Sequence, residues 1–419
     1  MAFTSHPMDF SLSDDQRLIR DTLRQFMEAE VRPLIRQYER EEKFPEAELR
    51  RLGELGCCGM LVPEEWGGAG LDATSYVLML EEVARVDAGM AVALSVTNSV
   101  ACMPLLRHGT EAQKKKYLTR LSRGEILGAF CLTEPQAGSD AAAIQTQAVR
   151  HGDVYRLNGT KTWVTNGGVS GVYLVFAKTD REAGARGVTA FLVEPTFPGF
   201  RVARYEDKMG LRTSRSAEIV LTDCEVPAEN RLGEEGQGLK IALEALDGGR
   251  VGIAAQAVGL AQGAFEAAVR YAKQRRAFGK TISEFQAIQW MLADMQTEIE
   301  AARNLTYYAA WQRDPGAARL GAYASRAKLY ASEMVNRVAY KAVQIHGSVG
   351  YSRETDVERM YRDARAISIY EGTSEIQRMI IARDLLAPAS AVREAAPREA
   401  AREPVSARAS DSAPAKGGR

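Results

Sequence analysis

Val154-Tyr155-Arg156-Leu157-Asn158-Gly159-Thr160-Lys161-Thr162-Trp163-Val164 runs with a period of two, strand spacing in a chain whose outer parts run at helical spacing. Asn-Gly between two such runs is a strong hairpin signal, because the tight turn needs positive φ at its central positions. The stretch therefore predicts strands over 154–157 and 160–164 with Asn158-Gly159 as their turn. Val172 to Ala177, Val188 to Val193 and Ala217 to Leu221 add further strands, separated by glycine, proline and charged residues. No helix-length pattern interrupts them. Residues 129–235 thus read as a compact antiparallel β domain rather than a parallel βαβ sheet.

Outward towards the N-terminus, residues 1–128 read as helical. Ser13 and Gln16 form a capping box ahead of a stripe made by Leu18, Ile19, Leu23, Phe26, Met27, Val31, Leu34 and Ile35. Leu52 and Leu55 are on a second amphipathic stretch, and Tyr76 to Val86 and Met90 to Leu106 give two more. Between them, Gly68, Gly70 and Ala73 match a relaxed G-x-G-x-x-A dinucleotide pattern. Pro63 and Trp66 precede it where a buried strand should be, so the segment is a loop.

Outward towards the C-terminus, the helical period returns after Gly236-Gln237-Gly238. Ile241 to Ala272, Glu284 to Gln312, Ala317 to His346 and Ser374 to Leu386 are four helices, broken by Gly279, Pro315 and Gly347-Ser348-Val349-Gly350. Long helices with short connections make a bundle over 236–386. Residues 387–419 collapse to alanine, arginine, glutamate, serine and proline, and read as a disordered tail. The fold class is α+β in several domains: all-α, antiparallel β, four-helix bundle.

At 419 residues the chain supports two or three cores, and Lys plus Arg balance Asp plus Glu at 54 each. That balance gives no bulk attraction to nucleic acid or to a membrane. The five cysteines are scattered with no Cys-x-x-Cys pair, as for free thiols in a reducing, cytoplasmic setting, and the four histidines form no zinc-type cluster. No leader peptide is visible, and no stretch reads as long enough to span a bilayer.

The chemistry concentrates in Ile369-Tyr370-Glu371-Gly372-Thr373-Ser374-Glu375-Ile376-Gln377. Ile369 and Tyr370 predict an apolar wall, and Ser374 with Gln377 predicts a capping box that opens a helix. Glu371 then stands just before a helix N-terminus. The helix end lowers its pKa and apolar burial raises it, which suits a proton-abstracting base. On these nine residues alone, a solvated glutamate before an ordinary helix is the simpler reading.

The nonapeptide resembles the catalytic segment of the acyl-CoA dehydrogenases, and the order helical, β, helical bundle is similar to that family from Phe10 to Leu386. The resemblance implies FAD as cofactor and Glu371 as the catalytic base. Phe130, Cys131, Leu132, Thr133 and Ser139 look like a first flavin segment, with Ser139 also near the substrate. Trp163, Val164 and Thr165 look like a second, with Trp163 against the ring and the Thr165 hydroxyl near N5. Arg275, Ala277, Phe278, Phe285 and Gln286 resemble the Arg-x-x-Phe-Gly segment. Gln344, Ile345, His346, Gly347 and Ser348 resemble Gln-x-x-Gly-Gly, with Ser348 in place of the second glycine. In the family these last two segments reach the FAD of a neighbouring subunit, which implies a homo-oligomer, a tetramer built as a dimer of dimers. Gly372, Thr373, Ser374 and Glu375 complete the implied cofactor contacts, and Asp247 and Arg250 border the acyl-CoA. Some relatives carry their base one residue before that arginine; here the position is Gly249, which leaves Glu371. The implied reaction is α,β-dehydrogenation of a short-chain acyl-CoA, with electrons passed to electron transfer flavoprotein. Branched-short-chain or medium-chain substrates and an oxidase-like acceptor are the alternatives.

Overall fold

Residues 11–313 and 319–387 are described by a computed structural model. Ser13 caps α1 (Asp14–Phe26): its Oγ accepts from Gln16 N at 3.1 Å while Gln16 Oε1 accepts from Ser13 N at 3.0 Å. The stripe continues through a π-helical turn into α2 (Arg32–Glu41), burying Leu23, Phe26, Met27, Val31 and Ile35. Leu18 is 67% exposed and lies off it. α3 (Glu46–Glu54) buries Leu52 and leaves Leu55 exposed. The glycine-rich segment after it is a loop, as expected; a Cβ on Gly68 would lie 2.0 Å from the Val62 carbonyl oxygen.

α4 (Ala73–Ala84) and α5 (Ala88–Ser95) are capped by Asp72 and Asp87, which accept from Ser75 N and Met90 N. α5 runs through a π-helical turn (Val96–Cys102) into α6 (Met103–His108). This corrects one expectation: Ala88–His108 is long and apolar enough to cross a membrane by length and composition, with mean hydropathy 1.5, but 89% of that window is buried inside the protein. The polar group Thr97-Asn98-Ser99 disguised it. Thr97 Oγ1, Asn98 Nδ2 and Ser99 Oγ donate to the carbonyls of Ala93, Leu94 and Ser95, so their polarity is satisfied within the helix. α7 (Glu111–Gln113) and α8 (Thr119–Ser122) close this part.

One sheet follows: β1 (Leu127–Cys131), β2 (Gln147–His151), β3 (Val154–Thr165), β4 (Ser170–Lys178), β5 (Val188–Val193), β6 (Phe200–Tyr205), β7 (Ser216–Pro227) and β8 (Arg231–Leu232). Its order is β6-β7-β3-β2-β4-β5-β8, with β1 on β4. Most neighbours are antiparallel, but β1 runs parallel to β4. The Asn158-Gly159 hairpin does not form. β3 is continuous through it, and the hairpin is β2–β3, turning at Gly152 and Asp153. Asn158 instead bonds across to β7: its Oδ1 accepts from Asp223 N at 2.8 Å and its Nδ2 donates to Asp223 Oδ1 at 3.0 Å. Gly159 marks a register slip against β7, and a Cβ there would lie 2.3 Å from Thr146 Oγ1. A bulge and a close approach explain the dipeptide.

α9 (Gly238–Gln274), a small ribbon of β9 (Arg276–Ala277) and β10 (Lys280–Thr281), α10 (Gln286–Arg313), α11 (Leu320–His346), α12 (Asp356–Ile367) and α13 (Ser374–Leu386) form the rest. Pro315 and residues 388–419 lie outside the described residues. Gly259 and Gly263 of α9 let the α4 backbone approach: Cβ atoms there would lie 2.2 Å from the carbonyls of Glu81 and Arg85. α12 was missed by periodicity because charged residues crowd it, yet Val357, Met360, Ala364 and Ile367 face inward. Its Arg359 is buried between Asp87 Oδ2 (3.4 Å) and Asp363 Oδ2 (3.3 Å), while Leu211 N donates to Asp363 Oδ1. This cluster joins all three parts of the chain.

Candidate active site

Glu371 lies in the turn between α12 and α13. Its φ is +52° and that of Gly372 is +92°, two consecutive left-handed residues. For a non-glycine residue this conformation is strained and persists only when its surroundings hold it. The cap of α13 differs from expectation. Thr373 is the cap, its Oγ1 accepting from Ile376 N at 3.4 Å. Ser374 opens the helix and donates to Glu333 Oε1 at 2.6 Å. Gln377 donates to the carbonyls of Gly372 (2.9 Å) and Glu371 (3.4 Å). Those carbonyls are turned inward by the left-handed bend and need a donor more than a cap does. The apolar wall is also only half present: Tyr370 packs inward with its hydroxyl on Gln256, but Ile369 is 51% exposed.

The Glu371 carboxylate points at α9. A Cβ on Gly249 would lie 2.2 Å from Glu371 Oε2 and 3.3 Å from Val100 Cγ1. Glu371 Oε2 is buried and has no hydrogen-bond partner among the described residues, and Arg250 Nε is in the same state. Burial is the main influence on this carboxyl and pushes it up to about 7; the charges of Lys328 and Arg250 pull the other way. A buried oxygen with no partner and a pKa near neutrality is poised to take a proton. Arg250 is itself buried and paired with Asp247 of the same helix. The expected substrate contacts Asp247 and Arg250 are therefore brought near Glu371. Lys328 was not singled out from the sequence; its signal was a lysine among Ala324, Ala327, Ala331 and Ser332 on the buried face of α11.

Gly249→Ala is expected to put a methyl group where the carboxylate sits. The protein should fold, since α9 keeps its helix, while the rate of the chemical step falls about a hundredfold, the effect of roughly 1 Å of misplacement. Rapid-mixing kinetics of the proton-abstraction step would check this; an unchanged rate would place the working carboxylate elsewhere.

β1 ties the first expected cofactor segment to this centre. Gly128 packs on α5–α6, where a Cβ would meet that of Ala101 at 2.4 Å. Cys131 and Leu132 are buried, so only their backbone could face a ligand, whereas Thr133 is half-buried and Ser139 exposed. The loop is secured from beneath: Thr162 N donates to Thr133 O, and Lys161 Nζ donates to Leu132 O (3.2 Å) and Glu134 Oε1 (2.7 Å). Trp163, at φ +58°, is 59% exposed. Val164 is buried and Thr165 half-buried, and Asn166 anchors the strand end to Ala93 O and Gly128 O. An uncovered tryptophan above a secured polar loop suits a flat heterocycle. A cavity of about 330 Å³, lined by Glu333, Asn336, Arg365, Ser368, Ile369, Thr373, Ser374 and Glu375, lies beside the Glu371 turn. Its polar lining at the start of a helix suits the nucleotide end of a cofactor.

The other expected contacts are remote. Arg275 follows Arg250 by 25 residues along α9, roughly 38 Å at 1.5 Å per residue. Around it, Phe278 is 95% exposed, Arg275 and Gln286 are exposed, and Ala277 and Phe285 are half-buried. Gln344, Gly347 and Ser348 are exposed at the end of α11, and Ile345 is buried. His346 is buried, stacked on Tyr271 at 4.3 Å with Nδ1 2.8 Å from Ala342 O; burial lowers its pKa, a packing role.

Three domain families match the chain: acyl-CoA dehydrogenase N-terminal domain over residues 13–125, middle domain over 129–224 and C-terminal domain over 236–386. The chain is 46% identical over 374 residues to the short-chain specific acyl-CoA dehydrogenase of Clostridium acetobutylicum, covering 89% of this chain and 98% of that one. Among solved structures it is similar to butyryl-CoA dehydrogenase from Megasphaera elsdenii, at 46% identity and TM-score 0.89, covering 91% and 100% of the two chains. It is also similar to a chain solved in work on the electron transferring flavoprotein of Acidaminococcus fermentans, at 47% identity and TM-score 0.90, covering 91% and 100%.

Proposed function

Because the chain belongs to the acyl-CoA dehydrogenase family, we propose that it converts a short-chain acyl-CoA to the trans-2-enoyl-CoA, with Glu371 as base. The observation that carries this reading is the buried, unpartnered Oε2 of Glu371 aimed at the small residue Gly249. Glu371 takes the α-proton. Its backbone N–H, held in the left-handed bend, polarises the thioester carbonyl as enolate charge develops. Gly249 and Gly252 let α9 pack closely beside the carboxylate: a Cβ on Gly252 would lie 2.4 Å from the Tyr76 hydroxyl and 2.5 Å from Ser95 Oγ, so a larger residue at either position would crowd this wall of the centre. FAD would supply the acceptor for the β-hydrogen, which leaves as hydride. Phe130 to Thr133, Ser139, Trp163 to Thr165 and Gly372 to Glu375 are the residues that would hold it.

The exposed groups at Arg275, Phe278 and Gln344 serve the FAD of a neighbouring copy in this reading, because they lie too far along α9 and α11 to reach their own centre. Such contacts need at least a dimer, and the family resemblance supports a homotetramer; domain divisions at 128/129 and 235/236, a cytoplasmic setting and electron transfer flavoprotein as acceptor belong to the same proposal.

The test is anaerobic bleaching of the bound flavin by straight and branched acyl-CoA thioesters of increasing length. The reading expects the fastest bleaching near the four-carbon straight chain. Failure to bleach with any thioester would overturn it, and rapid oxygen consumption during turnover would replace the acceptor with oxygen.

A further inference from the structure

We propose that Lys328 is a positioning residue for the base: it grips the Gly372 carbonyl from the middle of α11 and sets its positive charge beside the Glu371 carboxylate. This rests on the reading of Glu371 as base. Lys328 is fully buried, and its Nζ donates to Gly372 O at 2.8 Å. One neutral carbonyl compensates poorly for a buried ammonium. Burial accordingly pushes the lysine down to about 8, and foremost among the charges that oppose this is Glu371. Lysine and carboxylate each offset the cost of burying the other.

The grip has a second point. Glu333, five residues further along α11, accepts from Ser374 Oγ at 2.6 Å. With Gln377 on the same two carbonyls, α11 and α13 hold both sides of the strained Glu371-Gly372 pair. The remaining groups that act on the carboxylate are Arg250 from α9, Tyr76 from α4, with the Arg313 guanidinium of α10 over the Tyr76 ring at 5.7 Å, and Tyr370. Arg250 is already paired with Asp247, which leaves Lys328 as the cation whose removal changes the centre most.

The experiment reads the pH profile of flavin reduction with saturating butyryl-CoA in the flavin-loaded full chain. Removing a cation disfavours the carboxylate, raises its pKa and moves the acidic limb to higher pH. Lys328→Gln keeps a donor for Gly372 O and loses the charge. It is expected to move the limb up by about one pH unit with flavin content unchanged. Lys328→Met loses both, so the limb should move and the plateau rate should also fall about tenfold. Lys328→Arg should restore the limb. An unmoved limb in Lys328→Gln, while Glu371→Gln abolishes reduction, overturns the inference alone. Loss of flavin in both neutral variants also overturns it, because Lys328 would then be a structural cation. Survival of reduction with its limb in Glu371→Gln overturns the base assignment and this inference with it.

Discussion

Glu371→Gln is expected to give a folded, yellow protein that binds acyl-CoA and barely bleaches when substrate is added without oxygen. The side chain keeps nearly the same shape against Gly249 but cannot accept the α-proton. A positioned base contributes roughly a hundred- to ten-thousand-fold, and the rate of flavin reduction should fall by at least that. Glu375 is the control. It is exposed in the first turn of α13, where hydrogen bonds at the helix start lower its pKa. Glu375→Gln, at a position that the proposed reading gives to holding the cofactor and not to the reacting carbon, can lower flavin content but should cost far less in the reduction rate of the flavin that remains bound. Survival of reduction in Glu371→Gln with its disappearance in Glu375→Gln would identify the wrong carboxylate.

The same substitution carries a stability signature. Burial raises the Glu371 pKa from 4.5 to about 7, so between those values the native state binds a proton that the unfolded chain has released. The native state is therefore favoured at the acidic end of that window, and stability falls as pH rises through about 7. The variant lacks this group. It should gain thermal stability relative to the parent at pH 8 and not at pH 4.5, which thermal melts at the two values would measure. A gain of the same size at both would mean that the carboxylate titrates normally.

Lys161→Met is expected to have the second large effect, on stability and cofactor retention together. Lys161 and Glu134 form an ion pair at 2.7 Å with side chains 0% and 2% exposed. Burial works against both charges, but Lys161 and the donors around Thr146 and Gln145 hold Glu134 below the usual range. Removing the lysine leaves a buried carboxylate without its cation, a loss of about 3–5 kcal/mol. It also frees Leu132 O, so the loop carrying Thr133 and Ser139 should loosen and release flavin. Denaturant midpoints and flavin absorbance after gel filtration would check both. The double variant Lys161→Met/Glu134→Gln should recover much of the stability, because no uncompensated charge remains. A loss under about 1 kcal/mol with full flavin retention would mean that water reaches the site.

Much of the architecture was legible in local spacing. The change of period near Ala129 and back near Gly236 set out the helical, β and bundle parts. Ser13 and Gln16 announced α1, and α13 began and ended where the pattern placed it. Such features depend on which face of a strand or helix a side chain occupies, and periodicity records that directly. Gly249 could be excluded as a base from its identity alone, whereas Glu371 was singled out by the resemblance of its segment to a family's catalytic one.

What only the tertiary structure decided was the choice between partners. Asn158-Gly159 has hairpin chemistry, but Asp223 on β7 claims the asparagine and the strand runs straight on. Ser374 has cap chemistry, but Glu333 claims its hydroxyl, and Thr373 caps instead. α12 has too many charges for its stripe to show until Asp87 and Asp363 neutralise Arg359. The proposed base follows the same logic. The nine residues around Glu371 left a solvated glutamate open, and burial in the fold is what raises its pKa to about 7, against the opposing charges of Lys328 and Arg250, which fold in from α11 and α9. Local sequence determines what each side chain can do; burial and partners brought from far along the chain determine which of those things it does, because a hydrogen bond or charge goes to whichever group the packed structure leaves unsatisfied.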